Sequence, residues 1–120
     1  MTRRLVIKIA HGSEAGEVMA TGLTVAATAA ATGTPVSLWL TAEATWLGVP
    51  GRAASIDIDG SAPPSDLIDA VLANGSITVC SQCADRRGLT RDDLIEGVRI
   101  AGAATFLDEI LRDDVTALVY

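Results

Sequence analysis

Compact aliphatic runs alternate along this chain with longer stretches of helical period. The first run, residues 5–10, contains Leu5, Val6, Ile7 and Ile9 and stops just before His11-Gly12. Residues 36–40, 76–79, 98–101 and 115–120 are similar: short, rich in Val, Ile or Leu, and flanked by glycine, proline or polar residues. Runs of this length and composition predict strands. Between the first two, Val18, Gly22, Val25, Ala26, Ala29 and Ala30 recur at helical spacing, and Gly33 with Pro35 ends the segment. Ser13 is the expected cap, with Glu14 and Glu17 near the positive end of the helix dipole. A second helix is expected from a cap at Ser65 to Asn74-Gly75, with Leu67, Ile68, Val71 and Leu72 inward. The last helix, over 103–112, is expected to turn Phe106, Leu107, Ile110 and Leu111 inward. Shorter helical pieces are expected at 42–47 and after Cys80, and Thr90-Arg91-Asp92-Asp93 has the form of a capping box. From Gly48 to Pro64 the periodicity fails, although Ile56-Asp57-Ile58-Asp59 alternates as a short edge strand would. Such a stretch is a surface connection, a lid or a partner-binding segment.

Five strands alternating with helices predict an α/β fold: a five-stranded, mostly parallel sheet with helices on both faces and right-handed crossovers. The 120 residues fit a single domain, 1–120. Composition adds detail. Apolar residues make up 49% of the chain but aromatics only 3%, so the core must be aliphatic, which suits parallel strands buried on both faces. The positive mean hydropathy leaves apolar surface to hide and favours self-association. The net charge of −6 argues against a nucleic-acid partner and against an anionic membrane surface. No apolar run approaches the ~18 residues of a membrane span. Arg3 and Arg4 before an apolar run imitate a signal peptide, but Lys8 interrupts the run and His11-Gly12-Ser13-Glu14 follows it. The segment is therefore read as a strand and the protein as cytoplasmic, where thiols stay reduced.

Candidate chemistry gathers where parallel strands end, because ligands bind outside their carboxyl ends. Cys80 follows Ile77-Thr78-Val79, His11-Gly12-Ser13 follows the first strand, and residues 41–46 follow the second. In a parallel sheet these three segments share one rim. A thiol at the start of a helical stretch gains from the helix dipole, and Arg86 and Arg87 add positive potential; both favour the reactive thiolate. The plainer alternative for Cys80 is a small buried hydrophobe at a strand end. Cys83 completes a Cys-x-x-Cys pair, which can form a disulfide, resolve a persulfide or supply two metal ligands. Two cysteines, one histidine and scattered carboxylates fall short of a zinc site within one chain, so no metal is expected. Ser-Gln between the cysteines, placed after the third strand, also fits a thioredoxin-like motif poorly. His11, the only histidine, is either a proton handler near the thiol or a ring bonded to backbone. Gly12-Ser13 can offer N–H groups to an anion, without the glycines of a dinucleotide fingerprint or the Lys of a Walker loop. Trp46 either packs or lines a rim pocket, and Asp57 and Asp59 are read as solvated.

Ile77-Thr78-Val79-Cys80, followed by Arg86-Arg87-Gly88-Leu89, resembles the cysteine region of the DsrE/DsrF-like family. Gly97-Val98-Arg99-Ile100-Ala101-Gly102 and the terminal strand after residues 107–112 fit as well. The resemblance spans the chain and is most specific over 79–120. It implies a three-layer α/β/α sandwich, assembly as a homotrimer or homohexamer, and sulfur relay through a persulfide on the cysteine after the third strand, Cys80. Cys83 matches a second cysteine found in only some relatives. The leading expectation is thus a persulfide carrier that exchanges sulfane sulfur with donor and acceptor proteins and needs no cofactor. Arg86 and Arg87 would support the thiolate, His11 would handle a proton, and Cys83 would release the sulfur by forming a disulfide with Cys80. Two other readings are a thiol–disulfide switch of Cys80 and Cys83, and a non-catalytic oligomeric module whose rim holds a small ligand or partner.

Overall fold

The computed structural model describes residues 2–120. Five strands form one sheet: β1 (Arg4–Ile9), β2 (Val36–Leu40), β3 (Ser76–Cys80), β4 (Arg99–Ala101) and β5 (Val115–Val119). Their order is β4-β3-β2-β1-β5, and every pairing is parallel. The mostly parallel sheet expected from the βα alternation is therefore wholly parallel, and all five carboxyl ends lie along one edge.

Alternation along the strands sorts residues onto two faces. Leu5, Ile7 and Ile9 share a face with Val36, Leu38, Leu40, Ile77 and Val79, and these join the aliphatic core. Helices α1 (Gly16–Ala31) and α2 (Pro64–Asn74) pack on that face and on each other. Helix α1 buries Met19, Leu23, Ala20, Ala26, Ala27, Ala29 and Ala30, so its inward stripe is rotated from the expected one and Val18 stays exposed. Its outer face has few charges. Instead Thr21, Thr24 and Thr28 donate their hydroxyls to the carbonyls four residues back, which satisfies them without solvent.

The opposite face carries Val6, Lys8, Ser37, Trp39, Thr78 and Cys80 and is covered by α4 (Ala103–Ile110), giving the third layer. Phe106 meets Trp39 edge to face, with ring centroids 5.2 Å apart. Arg99 donates to Thr78 and pairs with Glu109 at 2.7 Å, and Ser37 donates to the other oxygen of Glu109. The expected inward set of α4 is only half inward. Phe106 and Ile110 are half-buried, whereas Leu107 and Leu111 are 52% and 70% exposed. Leu111 lies past the end of the helix, and what the helix sets against the sheet is Phe106 on Trp39 and Glu109 between Ser37 and Arg99.

Neither expected serine cap forms. Residues Ser13–Ala15 make a 3-10 turn and α1 begins at Gly16; α2 begins at Pro64, whose missing N–H costs nothing in a first turn. The capping box at Thr90 and Asp93 does form, around a 3-10 turn. Residues 56–59 are not a strand. Ile56 and Ile58 instead fold inward as plugs, and Ile58 occupies the space that a Cβ on Gly16 would need. No helix among the described residues is long and apolar enough to cross a membrane.

Candidate functional site

The thiols lie where β3 passes into the short helix α3 (Ser81–Arg86). Cys80 is the residue before its first turn, in extended conformation and half-buried. No acidic residue occupies that first turn. Cys83 lies one turn further on and is 7% exposed. The two cysteines are free thiols. Beside them, β4 ends at Ala101, which pairs with Cys80, and Gly102 abuts Ser81 so closely that a Cβ there would lie 3.2 Å from the Ser81 hydroxyl.

Cys83 is more engaged than its spacing suggested. Its Sγ accepts the backbone N–H of Ala42 at 3.2 Å. Ala42 opens the 3-10 segment Ala42–Gly48 that follows β2. The next residue, Glu43, pairs with Arg87 at 2.7 Å, and the Arg87 guanidinium also donates to the Cys83 carbonyl at 3.1 Å. Trp46, half-buried on the same segment, lies under Arg52 at 4.2 Å, with Arg87 at 6.0 Å. A third loop closes on this one. Gly12 lies against the Glu43 backbone, where a Cβ would come within 2.6 Å of the carbonyl oxygen. The loops after β1, β2 and β3 therefore touch in series.

The other expected site residues are arranged differently. His11 is half-exposed, and its Nδ1 bonds Glu14 at 3.0 Å; among the described residues it bonds neither cysteine. Glu14 turns back over its own loop instead of facing the helix dipole. It accepts the Gly12 N–H, so the Gly12-Ser13 cradle holds the chain's own carboxylate. The His11 bond, then the Gly12 bond, hold this carboxyl below its usual range. Ser13 is exposed in the 3-10 turn. Arg86 is exposed at the end of α3 and makes no ion pair among the described residues, while Arg87 is committed to Glu43 and Cys83. Among the described residues no three His, Cys, Asp or Glu side chains group as metal ligands.

Ala42 and Glu43 are the residues that sequence reasoning missed. Their signal was positional: they follow β2, the strand next to β3. Neither residue type draws attention without that neighbour.

An all-parallel five-stranded α/β protein with a cysteine pair at the carboxyl edge of its sheet is the class that fold and site define. A model of the DsrE/DsrF-like family matches residues 4–116, and the chain belongs to that family, one implicated in sulfur relay whose members are often oligomeric. Among solved structures, the YchN protein of E. coli is 20% identical, covers all of both chains and superposes with a TM-score of 0.79. A protein of unknown function from Methanobacterium thermoautotrophicum is 12% identical over 98% of this chain and 99% of its own, with a TM-score of 0.67. At these identities the likeness is one of fold. No curated protein matches.

Proposed function

We propose that the protein is a sulfur-relay carrier that holds sulfane sulfur as a persulfide on Cys80. The Cys80 thiolate attacks the outer sulfur of a donor persulfide. A new sulfur–sulfur bond forms on Cys80, and the donor's inner sulfur leaves as a thiolate. An acceptor thiolate then removes the outer sulfur by the same exchange, regenerating Cys80. The reaction needs no cofactor, because each bond formed replaces one broken. The observation that carries this reading is the contrast between the cysteines: Cys80 is half-exposed at the rim, ahead of a helix turn without acidic residues, while Cys83 is buried and bonded. Donor and acceptor are thiol proteins of a reducing compartment, the cytoplasm. Residues 1–120 act as one domain, assembled as a homotrimer or homohexamer through the apolar surface around Leu107, Leu111 and Val119.

The test is mass spectrometry after incubation with a protein persulfide donor. Cys80 should gain one sulfur atom in the wild type and in Cys83→Ser, and the adduct should vanish in Cys80→Ser. An unmodified Cys80 in both competent proteins would end the proposal.

A second reading, a thiol–disulfide switch of Cys80 with Cys83, is favoured by the Ala42 N–H on Cys83. A reduction potential for the pair so high that the cytoplasm never oxidises it would remove it.

A further inference from the structure

Among the described residues Ala42 is the only non-glycine with a positive φ, +48°. Side chains other than glycine avoid that region, and where they adopt it the surroundings hold them there. Here the holding groups are visible. The Glu43 carboxylate is tied to Arg87, Arg87 is tied to the Cys83 carbonyl, and the Glu43 backbone rests on Gly12. The bend turns the Ala42 N–H onto the Cys83 sulfur. A backbone donor pre-aimed at a buried sulfur stabilises negative charge there more than it would in water.

We propose that the Ala42 N–H is an anion hole for the Cys83 sulfur, that Glu43 and Arg87 are its positioning residues, and that it readies Cys83 to discharge a Cys80 persulfide as hydrosulfide. This rests on the persulfide reading of Cys80. The Cys83 thiolate attacks the inner sulfur, Sγ of Cys80. The Sγ–Sγ bond forms, the bond from Cys80 to the sulfane sulfur breaks, and its electron pair leaves with that sulfur as hydrosulfide. The two cysteine sulfurs are oxidised to a disulfide and the sulfane sulfur is reduced to sulfide. A dithiol reductant returns the pair to thiols. Cys83 thereby becomes a terminating group: the sulfur leaves as free sulfide whenever no acceptor thiol takes it first.

Two measurements test this. The first needs no persulfide. The full-length protein is equilibrated in glutathione redox buffers and the Cys80–Cys83 disulfide is read by thiol trapping. Removing the hole destabilises the reduced pair, so Arg87→Ala and Glu43→Ala should each move the equilibrium about tenfold towards the disulfide, about 30 mV more negative for this two-electron couple. Glu43→Gln, which restores an oxygen for Arg87, should recover at least half of that shift. Arg112→Ala, which breaks the exposed pair with Asp108, is the control for losing an ion pair elsewhere. The second measurement follows hydrosulfide release from protein loaded with persulfide on Cys80, which should slow about tenfold in Arg87→Ala, the size of one charge-assisted hydrogen bond. The hole is refuted by an unchanged equilibrium in both alanine variants, by Glu43→Gln matching Glu43→Ala, or by an equal shift in Arg112→Ala. If the wild type takes up no persulfide, the relay and the discharge step fall together, and the glutathione equilibrium still decides the hole.

Discussion

Ala42 holds a left-handed conformation that costs an L-residue about 1–2 kcal/mol. A β-branched side chain fits that region worse, so Ala42→Val should lose a further ~1–2 kcal/mol in urea unfolding. Ala42→Gly keeps the N–H and should change stability by less than about 1 kcal/mol, because relief of strain is offset by glycine's freedom in the unfolded chain. Glu14 gives a second test. Its carboxyl is held below its ordinary value of 4.5 by the His11 ring and then by the Gly12 N–H. The folded state therefore keeps the proton off more readily than the unfolded chain does. The resulting stabilisation is complete above the unfolded value and is lost as the pH falls through the lowered folded one. A carbon-detected NMR titration should place the Glu14 midpoint below 4.5 and return it towards that value in His11→Ala. At this scale the sequence was legible for Cys80, whose place follows from the strand before it. It misled for Glu14. Three residues after His11, Glu14 looks like a partner for a helix dipole, but the helix starts later, at Gly16, and the nearer ring and amide capture the carboxylate.

The elements differ in how they are held. Helices α1 and α2 are secured by aliphatic burial, which the 3.6-residue period announces. Helix α4 has the same period and a different attachment. Glu109, 12% exposed in its side chain, links Ser37 of β2 with Arg99 of β4. Glu109→Ala should loosen this helix first, so amide exchange over residues 103–110 should accelerate while β1 and β2 keep their protection. No apolar pattern reports such a polar rivet, because a glutamate on a helix normally signals the solvent side. That is why Phe106, Leu107, Ile110 and Leu111 read as one inward stripe although only Phe106 and Ile110 turn towards the sheet. The plugs Ile56 and Ile58 escaped for a related reason: alternation with Asp57 and Asp59 suits a strand edge as well as a loop that dips twice into the core.

Leu107 on α4, Leu111 just past its end and Val119 on β5 are among the large exposed apolar side chains, and α4 and β5 are in contact. A surface of this kind is expected to be covered by a second copy. Leu107→Glu with Leu111→Glu should convert the proposed homo-oligomer to monomers in light scattering, and the wild-type melting temperature, unlike the variant's, should rise with protein concentration. The parallel sheet itself was legible in the βα alternation. Its order was not, because adjacency depends on which face each crossover takes, and nothing local in residues 115–119 says that β5 must travel back past three strands to β1. The return has a kinetic side. Arg4 finds its partner, Val115, 111 positions later in the chain, so the flank of β1 that faces away from β2 stays bare until that residue has been made. A nascent chain with such a flank is a template for mispairing, and stalling before residue 115 should make this protein a client of ribosome-bound chaperones.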